Sequence, residues 1–255
     1  MDHKKRLIIE TAVKLFAQNG YHATSMQAIA DQCGISKGAL YLHFKSKEEL
    51  LVSILEYFQS DTLEKMAIIS KNDRLTPKDK LIHQLYVYFY NSLYHSDFIK
   101  TETREQLNPK SDAVKEYVRR TRKRMLNWKK EVLLSTYGEI IQPFLWDLVF
   151  IFHAILNEYR QLLVFEKRTF DLKRTAGFIV ECIDSLVHHF LSQQVQPIII
   201  PEMVADLDLP SKSSTSQNET PNSSFNQLVE QIQRSQLSES ELNSLKILLD
   251  LKSRK

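Results

Sequence analysis

Residues 24–51, TSMQAIADQCGISKGALYLHFKSKEELL, constrain the fold more than any other part of the chain. Their spacing predicts two short helices hinged at Gly34, followed by the start of a third. The first runs from about Met26 to Cys33, with Ser25 as N-cap and Ala28 and Ile29 turned inward. Gly34 supplies the left-handed backbone that ends a helix. Ser36 then caps a second helix from Lys37 to about Phe44, its hydroxyl holding an orphan amide. Two helices separated by a short turn containing Gly form a helix-turn-helix. A plain αα corner in a helical bundle has the same pattern, so the faces of the second helix matter most.

Those faces differ in kind. At 3.6 residues per turn, Leu40 and Phe44 share one side, where they can pack on Ile29, Ile35 and the preceding helix. The other side carries Gly38, Ala39, Tyr41 and Leu42. Small residues at its N-terminal end admit close approach to base edges, and Tyr41 can reach a phosphate. Lys37 and Lys47 flank the helix as cations, and His43 adds a donor.

The segment GISKGALYLHFKSKEEL at 34–50, with Ile29 and Ala30 before it, resembles the signature of the tetracycline-repressor (TetR) family of bacterial regulators. AVKLFAQNGYHAT at 12–24 is similar to that family's first helix and its Gly-turn-Thr exit. The likeness spans roughly residues 5–51, about a fifth of the chain. Beyond it only the architecture is alike. Carried over by position, the resemblance implies DNA contacts at Thr24, Ser25, Ser36, Lys37, Gly38, Ala39, Tyr41, Leu42, His43 and Lys47. One position departs from many relatives: Leu42 stands where an aromatic residue is common, and it can touch a thymine methyl.

Among 255 residues, 43% are hydrophobic, ample for a packed core, and the formal net charge is only +3. Residues 1–50 hold a small excess of Lys and Arg, which suits specific docking with a few phosphate contacts rather than general coating of DNA. The two cysteines, Cys33 and Cys182, lack metal or redox spacing and fit a reducing cytosol. No signal peptide is read at MDHKKRLIIE, so a cytoplasmic location is expected. The apolar segment Phe144–Phe165 is broken by Asp147, His153, Asn157, Glu158 and Arg160, which argues against a membrane span.

Strand-type alternation is nowhere sustained, so an all-α fold is expected. Helices are predicted from about Lys5 to Asn19, Lys47 to Ser70, after Thr76-Pro77 to about His95, and from Ser111 to near Gly138. Two more follow, from Pro143 to about Lys167 and from about Asp171 to Gln194. The organisation expected is a helix-turn-helix DNA-binding domain over 1–50 and a helical effector-binding and dimerisation domain over 51–196. Pro197 to Ser224 is rich in Pro and Ser and reads as a flexible linker. Residues 225–255 regain helical periodicity, with a Ser238–Glu241 capping box, and read as a short helical extension. That extension docks on the body, takes a protein partner, or stays disordered.

The helix after Pro143 is apolar on more than one face and so needs cover on more than one side. Gly177 inside the last body helix costs about 1 kcal/mol against Ala unless a close neighbour uses it. A four-helix dimer interface is therefore expected, using Leu148, Phe152, Leu156, Tyr159, Gly177, Val180, Ile183 and Val187, as the resemblance also implies. Two recognition helices about 34–36 Å apart would read a near-palindromic operator.

Tyr86, Tyr90 and Tyr94 recur at i, i+4 and i+8, beside Phe89, with Trp128, Trp146, Phe150 and His153 on later helices. These are either a packed aromatic core or the wall of a small-molecule effector site, since buried tyrosine hydroxyls need partners. The basic run Arg119, Arg120, Arg122, Lys123, Arg124, Lys129 and Lys130 reads as a solvated face. The eight histidines show no zinc spacing, and no P-loop, G-x-G-x-x-G or G-x-S-x-G occurs, so no metal, cofactor or enzymatic activity is expected. The reading is a homodimeric repressor released from its operator by a small molecule. The alternative is a DNA-bound architectural or partner-recruiting protein that uses residues 225–255.

Overall fold

Side-chain caps set where most of the helices begin. Ser25 Oγ accepts from Ala28 N at 3.0 Å, Ser36 Oγ from Ala39 N at 3.1 Å, and Ser46 Oγ from Glu49 N at 3.0 Å. Thr76 Oγ1 accepts from Asp79 N at 3.2 Å, and Asp171 Oδ1 takes the amides of Lys173 and Arg174 at 3.0 Å each. Each satisfies amides that the first helical turn leaves without partners. The computed structural model describes residues 3–96, 112–205 and 207, and helix is the regular structure throughout them. The α-helices are α1 (His3–Asn19), α2 (Met26–Gln32), α3 (Lys37–His43), α4 (Lys47–Ser70), α5 (Pro77–Tyr94), α6 (Asp112–Tyr137), α7 (Leu145–Val164) and α8 (Leu172–Ser192). Short 3₁₀ segments cover Glu139–Phe144 and Pro201–Val204.

The α1–α4 head has its own core. Ile8, Ile9 and Ala12 of α1, Ile29 and Ala30 of α2, Leu40 of α3, Phe44, and Leu50, Leu51 and Ile54 of α4 are all sealed from solvent. One member comes from far away in sequence: Tyr117 of α6 enters this core and is only 3% exposed. α4, at 24 residues about 36 Å long, runs without interruption from the head into the body. Head and body are thus joined by a continuous helix and a shared core, without a linker at residue 50.

In the body, α5 is surrounded. Leu81, Leu85, Tyr86, Val87, Tyr88 and Phe89 are buried on several sides of it, against α4, α6, α7 and α8. Glu139–Val164 is long and apolar enough to cross a membrane by composition, with a mean hydropathy of 1.5 over an 18-residue stretch of it. Leu148, Val149, Phe152 and Leu156 on α7 are nevertheless fully buried inside the chain, which makes this a core helix with one sealed side.

Two boundaries differ from expectation. Pro143 does not open α7; it lies inside the 3₁₀ segment, and the α-helix starts at Leu145. The first residues of the linker expected from Pro197 are held against the body. Asp147 accepts from Ile198 N at 3.2 Å and from Ile199 N at 3.4 Å, Val204 is buried, and Asn127 Nδ2 donates to Leu207 O at 2.9 Å. The apolar residues at 198–200, few as they are, come with a carboxylate on α7 that takes their amides. Most of the remaining linker and the extension at 225–255 lie outside the described residues.

Candidate nucleic-acid interface and body cavity

The turn between α2 and α3 follows from one residue. Gly34 sits at φ +67°, Gly34 N donates to Asp31 O at 3.1 Å, and Ile35 N donates to Ala30 O at 3.0 Å. This pair of bonds is a Schellman C-cap, which needs a left-handed residue at that place. Ser36 then restarts the helix two residues on. Leu40 and Phe44, both 0% exposed, pin α3 from behind.

The other side of α3 is open. Lys37 and Gly38 are exposed, and Ala39 and His43 are half-buried. Tyr41 is 41% exposed and Leu42 87%, more than any other large apolar side chain among the described residues. Burying a leucine side chain is favourable by about 1.5–3 kcal/mol, so Leu42 is held outward by the geometry of α3 rather than by any preference of its own. Gly38 has a helical φ, and a Cβ there would meet only Ser36 Oγ, at 3.9 Å. The fold itself does not require glycine at 38. Ser25 and Ser36 lie exposed at the starts of α2 and α3, their hydroxyls already engaged as caps.

Two residues assigned to DNA by resemblance are turned inward instead. Thr24 is 2% exposed, and its Oγ1 donates to Gly20 O at 2.8 Å, with Leu15 O at 3.2 Å. It latches the end of α1. Lys47 Nζ donates to Tyr21 O at 2.7 Å, Thr24 O at 2.9 Å and His22 O at 3.2 Å, and stands 4.5 Å from the centre of the Tyr21 ring. An ammonium has three N–H donors, and all three are engaged by backbone carbonyls. Lys47 is a tether between the start of α4 and the α1–α2 turn, and its charge serves the fold.

The expected effector wall is also corrected. Tyr86, Phe89, Trp128 and Trp146 are buried core side chains, with Trp128 Nε1 donating to Gln84 Oε1 at 2.8 Å. Tyr90 stacks between Tyr86 and Tyr94, with ring centres 6.1 and 6.3 Å away, and Phe150 pairs with Trp146. Tyr94 is 47% exposed. Of the eight residues, only His153 lines the cavity that the body does contain.

That cavity, about 300 Å3, lies among α4, α5, α6 and α7. Leu55, Phe58, Tyr88, Val118 and Met125 give it apolar walls. Gln59, Thr62, Asn91 and Asn157 add amides and a hydroxyl, while Arg122, Lys129 and Arg160 bring positive charge. Among the described residues that line it, none is acidic. Lys129 is 2% exposed; burial, then the nearby Arg160, pushes its ammonium down to about 7. Burial, with Lys129, Arg122 and Arg160 around it, pushes His153 down to about 4. His95 is pushed down to about 3 by burial and by Lys65. Lys129 departs from the solvated face expected of the basic run. Its register with Leu126 and Leu133, at i−3 and i+4 on the core stripe, is the sequence signal that places it inside, while Arg119, Arg120, Arg122 and Arg124 stay exposed.

The dimer positions divide. Leu148, Phe152, Leu156 and Ile183 are 0% exposed, and Val180 and Val187 are nearly so, all within the single chain. These six form the intrachain core, because the stripe that is most apolar faces α5 and α6. The outer side of α7 and α8 carries instead Ile151, Ala154, Ile155 and Leu162, partly or fully exposed, and Phe178 at 52%. Tyr159 is half-buried beside Phe89 and Phe170. A Cβ on Gly177 would meet nothing within 4 Å.

Residues 8–54 match the model of the bacterial regulatory proteins of the tetR family. The chain is 36% identical over 201 residues to the uncharacterised HTH-type transcriptional regulator YerO of Bacillus subtilis, covering 78% of this chain and 70% of that one. YuxN of the same organism is also 36% identical, over 208 residues, covering 81% and 71%. Among solved structures, a putative TetR-family regulator from Rhodococcus sp. superposes with a TM-score of 0.59 at 16% identity, covering 73% of this chain and all of that one. A TetR-like regulator from Rhodococcus sp. RHA1 does so at 0.53 and 20%, covering 74% and 96%. The chain therefore belongs to the TetR family of DNA-binding transcriptional regulators.

Proposed function

We propose that this regulator is a homodimeric repressor that reads a near-palindromic operator with α3 and releases it when a small molecule fills the body cavity. The observation carrying the DNA half is the outward side of α3. Leu42 stands 87% exposed, and Gly38 leaves room for close approach that nothing inside the chain uses. Lys37 supplies the phosphate contact, and Ser25, Ser36, Ala39, Tyr41 and His43 border the same surface. Thr24 and Lys47 hold that surface in place from behind.

Support for the dimer comes from the outer side of α7 and α8. Ile151, Ile155, Leu162 and Phe178 present apolar surface there, and Gly177 offers a flat approach. Two such faces packed together make a four-helix interface, and family members typically bind operators as dimers. Ligand control is supported by the cavity walls: α4 carries the head, and α6 places Tyr117 inside it. A ligand that wedges α4 from α6 shifts the separation of the two recognition helices. It must bind the DNA-incompetent state more tightly, since equal affinity shifts nothing.

The test is an unbiased selection of duplex DNA by the full chain at modest ionic strength, with light scattering on the same sample. An enriched inverted repeat and a dimeric mass uphold the reading. No enriched sequence, or a monomer with and without DNA that keeps full affinity, rejects it. Phe178→Asp should give a monomer with weakened operator binding.

A further inference from the structure

The cavity's polar wall is one-sided in its chemistry. Lys129 Nζ makes a single hydrogen bond, to Met125 O at 3.2 Å, and its charge is otherwise met only by the Trp128 ring, 5.3 Å away. Arg160 Nε and Gln59 Nε2 are buried donors without acceptors. His153 uses one ring nitrogen toward Asn157, at 2.9 Å, and its Nδ1 is buried without a partner. All four residues line the same space, on three different helices. An unsatisfied buried donor costs about 1–3 kcal/mol, and more when charged, so this concentration in one place calls for an acceptor. Among the described residues none is supplied there, because their part of the lining holds no carboxylate.

We infer that the cavity binds an organic anion, its carboxylate or phosphate head held by Lys129, Arg160 and Gln59, and its apolar body lying along Leu55, Phe58, Val118 and Met125. This rests on reading the cavity as the effector site, and it names the ligand class for that site. An ionised carboxylate or phosphate is an acceptor with several lone-pair sites, which complements a wall of donors. The apolar side chains lie on α4 and α6, and the charges on α6 and α7. A ligand with a head and a body therefore spans the cavity. An inorganic ion would leave the apolar half unfilled. A neutral ligand would leave the buried donors of Lys129 and Arg160 without an anionic acceptor. Burial and the nearby Arg160 lower the affinity of Lys129 for its proton, and an anion in the cavity would raise it again. At about 300 Å3 the space is at the lower end for small-molecule sites, which favours a compact monoacid over a large conjugate.

The experiment is calorimetric titration of the full chain with decanoate, decyl phosphate and decanol, repeated on Lys129→Met and Arg160→Gln, with operator affinity measured in parallel. The expected result is that an anion binds at least tenfold tighter than decanol and that either substitution removes most of this preference. Decanoate ahead of decyl phosphate assigns a carboxylate head, and the reverse order assigns a phosphate. Equal binding of decanol overturns the anionic head, as does an undiminished preference in both variants or no binding by any member of the series. Arg160→Gln keeps the assay interpretable should Lys129→Met fail to fold. Anion binding without change in operator affinity would uphold the site while removing its role as the effector switch.

Discussion

Lys47→Met separates two roles for one cation. If Lys47 contacted a phosphate, its loss would lower the salt dependence of DNA binding by about 0.9 in slope and leave stability unchanged. The structure instead gives its three N–H groups to the carbonyls of Tyr21, His22 and Thr24. A hydrogen bond to a charged group contributes about 1.5–3 kcal/mol. The His22 contact is exposed and long, so water takes it over at little cost. The Tyr21 and Thr24 contacts are part-buried at 2.7 and 2.9 Å and carry most of the loss. Freeing a long side chain returns up to about 2 kcal/mol of rotamer entropy, part of which methionine also gains. Methionine keeps much of the stem against Tyr21. The net expectation is a loss of about 2 kcal/mol, or about 4–8 °C in Tm for a domain of this size. Thermal unfolding of the full chain, with operator titrations at several salt concentrations, measures both quantities. An unchanged Tm with a slope lower by about one would refute the tether. Lys37→Ala, at an exposed position, should show that opposite pattern.

Gly38→Ala should raise stability by about 0.5–1 kcal/mol, because the site is helical and has room, while operator affinity falls at least tenfold; equal affinity would remove the close approach. Tyr117→Ala should cost about 3 kcal/mol in urea unfolding and weaken DNA binding, although the residue lies 73 positions beyond Phe44; a loss under about 1 kcal/mol would show that the head's core does not depend on α6. Lys129→Met should stabilise the ligand-free protein. With Lys129 held near 7 when folded and near its ordinary 10.5 when unfolded, the penalty is full below pH 7 and fades as pH rises to 10.5. Among the described residues, the charged groups lining the cavity with Lys129 are Arg122 on its own helix and Arg160 on α7, with His153 and His95 neutral above pH 5. The gain over the parent, read as Tm against pH, should therefore be greatest at pH 7 and below; a gain that grows toward pH 10 would contradict the sign.

Local signals were the legible ones. Ser25, Gly34, Ser36, Ser46, Thr76 and Asp171 announce helix ends through chemistry confined to a few neighbouring residues, and the helices start and stop where those residues stand. The Leu40–Phe44 side of α3 was legible for the same reason, since helical periodicity alone sorts it from Leu42. The cavity was not, because its walls come from four helices whose mutual rotation is set by packing. Arg160 on α7 and Gln59 on α4 carry no mark in sequence that they meet. Of the aromatic residues that looked like a binding wall, Tyr86, Phe89, Trp128 and Trp146 fill the core instead. Rings such as Phe89 and Trp146 bury large areas, and that gain outweighs any call for an empty site. Thr24 and Lys47 misled because family position fixes where a residue lies, whereas the Lys47 hydrogen bonds depend on a turn 26 residues earlier.

Tyr117 has a consequence for how such regulators are cut and recombined. A fragment ending anywhere before residue 117 removes an aromatic ring from the core of the DNA-reading unit and leaves a hole beside α4. The smallest piece that can be transplanted onto another body is therefore discontinuous: α1 to α4 together with the first turns of α6. Chimaeras spliced at the obvious seam near residue 50 would inherit the letters of the recognition helix without the plug that seats it.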